Sequence, residues 1–212
     1  MYALNPEAAK KADVIGAYIT ETGKYLGTFI RAEKLVSAAK GTDGIGFTFK
    51  DTTDRECRFD VWTQKQSGEA LSGLNLINAM MACMSLRGLT ASTQRVKKWH
   101  DGKEQVMDAE CFADLMNKPV GLLLRAEEYE KMKDGHKTGD TAWRMGLFAV
   151  FQASTELMAS EILNRKTQPE QLAKVLTQLA DKPVKKSAAS GAQRQGSQSS
   201  SDVPADFDDI PF

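Results

Sequence analysis

Between residues 25 and 65 the chain reads as strands, and from residue 45 on apolar and polar positions alternate within them with a period of two. Residues 25–36 are rich in β-formers; Ile45, Phe47 and Phe49 then alternate with Gly46, Thr48 and Lys50. Cys57, Phe59 and Val61 alternate in turn with Arg58, Asp60 and Trp62. This pattern predicts three half-buried strands with one apolar and one polar face. Residues 40–44, with two glycines, and residues 51–54 supply the turns of a meander. The period then lengthens. Leu71, Leu74, Ile77, Met81 and Met84 recur every three or four residues, which predicts a helix over 70–86 stopped near Gly88. Residues 94–107 read as a small inserted hairpin turning at Asp101-Gly102. Residues 120–129 read as a strand, 133–140 as a polar loop and 142–151 as a further strand. In that last segment Trp143, Leu147 and Val150 would share a helical face, but Gly146 and the Phe/Val content favour a strand. Short helices over 160–164 and 169–180 close the body, the second with Pro169 in its first turn.

Three strands, a helix and two strands give an α+β chain with an all-β core. The order matches a five-stranded OB-fold barrel with the helix between strands 3 and 4, followed by C-terminal short helices and a disordered tail. Residues 1–182 form the expected domain. Residues 187–201, SAASGAQRQGSQSSS, contain no Leu, Ile, Val or aromatic residue, so they bury too little to offset ordering entropy. We read 183–201 as a flexible linker with an r.m.s. span on the order of 20 Å over its polar stretch, and 202–212 as an acidic protein-interaction tip.

Composition narrows the function. The 212 residues carry 28 basic and 28 acidic side chains, so a site for a polyanion must be a local patch. The tail holds Lys185, Lys186 and Arg194 against four aspartates, which leaves it at −1 and the body at +1. Cys57, Cys83 and Cys111 lie far apart without a CxxC pair, which argues for reduced thiols in a cytoplasmic protein rather than a disulfide or zinc framework. No apolar run approaches the ~20 residues of a membrane span, and the first residues lack a signal-peptide core. Phosphate-loop, dinucleotide and zinc-protease motifs are absent. The expectation is a non-enzyme without cofactor or metal.

The polar face of the meander carries Lys50, Arg58 and Trp62. An aromatic beside cations outside the core is what a base-stacking platform needs; packing of Trp62 against the helix or a partner subunit is the other reading, and both stay open. A second cationic group, Lys131, Lys133 and Lys137, lies in the expected loop between the last two strands, with Tyr129, Trp143 and Arg144 flanking it. Lys40 occupies the loop after the first strand. In OB-folds these two loops clamp an oligonucleotide. His100 and His136 sit in polar turns and make poor catalytic bases.

The chain ends Ala205-Asp206-Phe207-Asp208-Asp209-Ile210-Pro211-Phe212. This sequence resembles the acidic tip of bacterial single-stranded DNA-binding proteins, with one Asp fewer than the common form. A terminal Phe offers a ring and an α-carboxylate to a basic pocket, and Asp206, Asp208 and Asp209 can meet surrounding cations. The body resembles phage-encoded single-stranded DNA-binding proteins of OB-fold type in EKLVSAAKGTDGIGFTFK (33–50), AMMAC (79–83), DLMNKPVGLLL (114–124) and ASEILNRK (159–166). The resemblance implies sequence-independent binding of single-stranded DNA and a role in replication, recombination and repair in the host cytoplasm. It also implies recruitment of host or phage enzymes through Asp206, Phe207, Asp208, Asp209, Ile210, Pro211 and Phe212. A recombination mediator or annealing protein, and a nuclease accessory subunit, are the rival readings. Oligomeric state, homodimer or higher, stays open.

Overall fold

The computed structural model describes residues 16–100, 103–133 and 136–184. Among these residues seven strands form one antiparallel sheet, accompanied by short helices. The strands are β1 (Gly23–Val36), β2 (Asp43–Asp51), β3 (Glu56–Gln64), β4 (Ser92–His100), β5 (Lys103–Cys111), β6 (Pro119–Lys133) and β7 (His136–Phe151). The helices are α1 (Ser72–Cys83), α2 (Ala159–Leu163) and α3 (Gln171–Leu176), with a 3-10 turn at Ala113–Leu115. β1 is the hub. It pairs with β2 along one edge; along the other its first half pairs with β6 and its Glu33 with Cys111 of β5. β6 pairs onward with β7, and β4 with β5. β3 and β7 run beside one another without ladder pairing, so the sheet is not closed by hydrogen bonds.

The meander and its alternation are as the pattern predicts. Phe29, Phe47, Phe49 and Phe59 are buried together, with the Phe29 and Phe47 ring centroids 4.6 Å apart and those of Phe47 and Phe59 5.4 Å apart. Leu122 and Leu124 of β6 and Ile77, Met80 and Cys83 of α1 complete this core. β6 is buried on both faces, which explains its unbroken Leu122-Leu123-Leu124 run: Leu123 points the other way, into a second cluster with Phe151 and Leu172 of α3.

Three expectations need correction. The helix ends at Cys83, short of Gly88, because Ser85 adopts φ 56° and reverses the chain. Ser85 N–H bonds to the Ala82 carbonyl and Leu86 N–H to the Met81 carbonyl (2.8 Å), a Schellman closure made without glycine. Residues 133 and 136–140, expected in a loop, are strand. β6 runs to Lys133 and β7 starts at His136, and these two residues pair; each strand satisfies the other's backbone, so polar side chains do not end it. The inserted hairpin is longer than 94–107, spanning 92–111 with Ser92 opposite Cys111.

The short C-terminal helices are tied together by Glu161, whose carboxylate accepts N–H bonds from Met158 (2.9 Å), Glu170 (2.7 Å) and Gln171 (2.8 Å). The chain then returns to β6: Lys182 N–H bonds to Ala126, Glu128 N–H to Lys182, and Val184 N–H to the Glu128 carboxylate. From residue 185 on, the expected linker (183–201) and tip lie outside the described residues, as does the Asp101-Gly102 turn. No described helix is long and apolar enough to cross a membrane.

Candidate nucleic-acid interface

The outer face of the meander is built in cross-strand rows. Arg31, Thr48 and Arg58 form one row; Glu33, Gly46 and Asp60 the next; Leu35, Gly44 and Trp62 the third. Gly44 and Gly46 leave the middle strand bare, and larger neighbours lie across it. A Cβ on Gly44 would come within 2.8 Å of the Trp62 indole, and one on Gly46 within 2.7 Å of Leu35 Cδ1. Trp62 is accordingly half-buried. Its ring covers Gly44 on the same face as Arg58, rather than entering the core.

The β4–β5 ribbon stands beside this face. It is held to β1 by the Glu33–Cys111 pairing, by the Lys98–Glu33 ion pair and by Lys34–Glu110 at 3.6 Å. Between ribbon and sheet runs a groove of about 340 Å³. Arg31 and Arg58 enter it from the sheet, and Arg95 and Lys97 from the ribbon. Thr48 and the apolar Ile30, Val96 and Met116 line it too, and Glu56 is the acidic side chain in its wall. Of the lining side chains four are cationic and one is acidic, while Asp108 lies 4.0 Å from Arg95 and Glu33 3.8 Å from Arg31, so the groove is a local positive patch.

Arg31 is the most constrained of the four. Its side chain is 17% exposed, its nearest carboxylate oxygen, on Glu33, is 3.8 Å from Nε, and Nε has no hydrogen-bond partner among the described residues. Burial pushes its pKa down; Glu33 opposes this and the neighbouring Arg58 adds to it. A guanidinium does not give up its proton in a protein, so it remains a charge with incomplete compensation. An anion in the groove would relieve it.

Beyond Trp62 the face continues toward β7. Asp60 keeps an exposed edge, yet its carboxylate is crowded, and this dehydration raises its pKa against the attraction of Arg144 and then Arg31. Arg144 also lies over the Tyr129 ring, 5.3 Å from its centroid. On the β2–β3 turn, Asp51 accepts bonds from the Thr53 amide and hydroxyl and from the Arg55 amide and guanidinium, all between 2.8 and 2.9 Å.

Of the residues singled out from sequence, Arg58 lies in the groove, Trp62 on the same sheet face, and Arg144 and Tyr129 at the far edge reached through Asp60. Lys131, Lys133, Lys137 and Trp143 lie on the β6–β7 ribbon rather than in a loop. Trp143 is 53% exposed, and Lys137 is ion-paired to Glu130 at 2.6 Å. Lys40 lies in the turn before β2 and Lys50 near the strand's far end, bound to Asp54 at 2.8 Å, so they do not belong to one locus. The tip residues lie outside the described residues.

Arg31, Arg95, Lys97 and Glu56 were not expected. Strict alternation puts Arg31 in phase with Phe29, on the core side. A bulge between Phe29 and Arg31 adds one residue and turns Arg31 outward. Arg95 and Lys97 alternate with Val96, a pattern readable in the chain, but only the packed ribbon brings them opposite β3. Cys57 and Cys83 are buried, and burial pushes both thiols up to about 12, so they serve packing rather than chemistry. Among the described residues no three His, Cys, Asp or Glu side chains converge to hold a metal ion. No protein-family model matches this chain, and no curated protein matches its sequence.

Proposed function

We propose that this protein is a sequence-tolerant, non-enzymatic single-stranded DNA-binding protein. The observation that carries the reading is the groove between β3 and the β4–β5 ribbon, where Arg31, Arg58, Arg95 and Lys97 converge beside apolar wall. Such a groove tracks a phosphate backbone, while an aromatic on the same face, Trp62, gives a base a surface to stack on. β3, β2, β1, β6 and β7 are proposed to be the five strands of an OB-fold barrel, with α1 between its third and fourth strands and β4–β5 as an insertion. The side-by-side course of β3 and β7 supports this. The tip at 206–212 would dock on replication, recombination and repair enzymes of a bacterial or phage system.

The test is a titration of the full chain with oligo-dT, duplex DNA and single-stranded RNA of equal length across a salt series. Oligo-dT should bind tightest, with log K falling linearly against log salt at about 0.7 per phosphate neutralised. Equal affinity for duplex, or binding insensitive to salt, would overturn the reading. Loss of a labelled oligonucleotide on adding divalent metal would show a nuclease instead.

A further inference from the structure

Glu56 is out of place in a site built only for phosphate. It lines the groove with four cations, and it attracts Lys50 only through space. Lys50, its cross-strand neighbour, is turned to Asp54 at 2.8 Å. The backbone of Glu56 is fully engaged, its N–H with the Ala17 carbonyl and its carbonyl with Ile19 N–H, so the position on the sheet is rigid. A carboxylate there repels a phosphate and has to be accounted for by the other half of a nucleotide.

Glu56 and Arg58 are two residues apart on one strand and face the same way, which sets them about 7 Å apart. The arginine side chain is the longer of the two, so the heads can splay beyond that backbone spacing to the wider reach between a phosphate and the Watson–Crick edge of its base. With Arg58 on the phosphate and Ile30, Val96 or Met116 against the base, Glu56 meets the Watson–Crick edge. An ionised carboxylate only accepts hydrogen bonds, through two oxygens. Guanine presents two adjacent donors, N1–H and the 2-amino group, which match those oxygens. Cytosine and adenine present a single amino group each. Thymine presents one N–H flanked by two carbonyl oxygens that a carboxylate repels. Single strands expose these edges for reading.

We propose that Glu56 is a base-reading residue that gives the groove a preference for guanine over thymine at one subsite. This rests on the proposed function and refines it: the strand is held anywhere, but it settles in a preferred register.

The experiment compares fluorescence anisotropy of (dT)20, (dTdG)10 and (dTdI)10 in lithium buffer, which suppresses guanine self-association, with the full chain and its Glu56→Ala variant. Alanine keeps the backbone bonds that place residue 56. The expected result is about fivefold or stronger preference for (dTdG)10 over (dT)20, reduced by inosine, which lacks the 2-amino group. Glu56→Ala should abolish the preference while tightening (dT)20, because a negative charge has left the groove. Equal binding of (dT)20 and (dTdG)10 by the unaltered chain, or a preference that survives Glu56→Ala, would overturn the inference and leave single-strand binding standing. Binding of none of the oligomers would overturn the proposed function and this inference with it.

Discussion

Arg31 of β1 and Arg58 of β3 stand on either side of Thr48, the β2 residue paired with both, and all three line one groove. Burial disfavours the Arg31 charge, Glu33 offsets part of this, and Arg58 adds repulsion that an anion in the groove would relieve.

Replacing either arginine by methionine is therefore expected to weaken oligo-dT binding by about 1.5–3 kcal/mol. It should also reduce the salt slope by about one. Arg31→Met should leave thermal stability unchanged or raised, since it removes an incompletely paired buried charge. Anisotropy titrations at several salt concentrations, with a melting curve beside them, check both parts.

Trp62→Ala should weaken oligo-dT binding by about 1–3 kcal/mol with little change in salt slope, because stacking involves no counterion release. Intrinsic tryptophan fluorescence should be quenched by oligo-dT in the unaltered chain. A variant that binds as tightly as the parent would assign Trp62 to packing alone.

Gly44→Ala places a methyl group within 2.8 Å of the Trp62 ring and 2.9 Å of the Val61 carbonyl. Overpacking of this kind is expected to destabilise the fold by about 1–3 kcal/mol, read as a lower Tm. By displacing Trp62 it should also weaken strand binding beyond what the stability loss explains. A parallel measurement on Gly88→Ala, where a Cβ meets nothing within 4 Å, is the control.

Acid stability should depend on Glu161. Its pKa is held below the ordinary 4.5, first by the Met158 N–H, against some dehydration, and then by the Gln171 and Glu170 N–H groups and Lys166. A depressed folded-state pKa means the contribution is complete above 4.5 and is lost as pH falls through the folded value. Glu161→Gln should lower Tm near neutral pH and narrow its gap to the parent in that acid range. An equal gap at all pH values would show that the ionised carboxylate is not what joins α2 to α3.

Removing residues 206–212 takes away three aspartates and the terminal Phe. If the tip competes with DNA for the cationic groove, the truncated chain should bind oligo-dT more tightly at low salt and equally at high salt. Unchanged affinity at low salt would assign the tip to partner docking only.

The strands were legible because one face of each is buried and the other wet, which writes a period of two into β2 and β3. The β6–β7 ribbon was half legible: its base, with Leu122 to Leu124, is apolar, while its outer part is polar on both faces and reads as loop. Helix α1 was placed correctly, but its end was not, since Ser85 takes a backbone conformation that glycine usually marks. The candidate site divides the same way. Arg58 and Trp62 follow from alternation within β3. Arg31 does not, because a single extra residue in β1 reverses its direction.

What the sequence determines by itself is local: where most strands and helices form, and which side of β2 and β3 turns to the core. Those properties depend on neighbours one to four residues away. Tertiary structure decided which charges meet. Arg31, Arg58, Arg95 and Lys97 are separated by up to 66 positions, and a net-neutral composition gives no sign that they share a groove. They converge because β1 bulges after Phe29 and because the β4–β5 ribbon, tied to β1 through Glu33, stands beside the face of β3. Neither packing is encoded by the residues of the groove themselves.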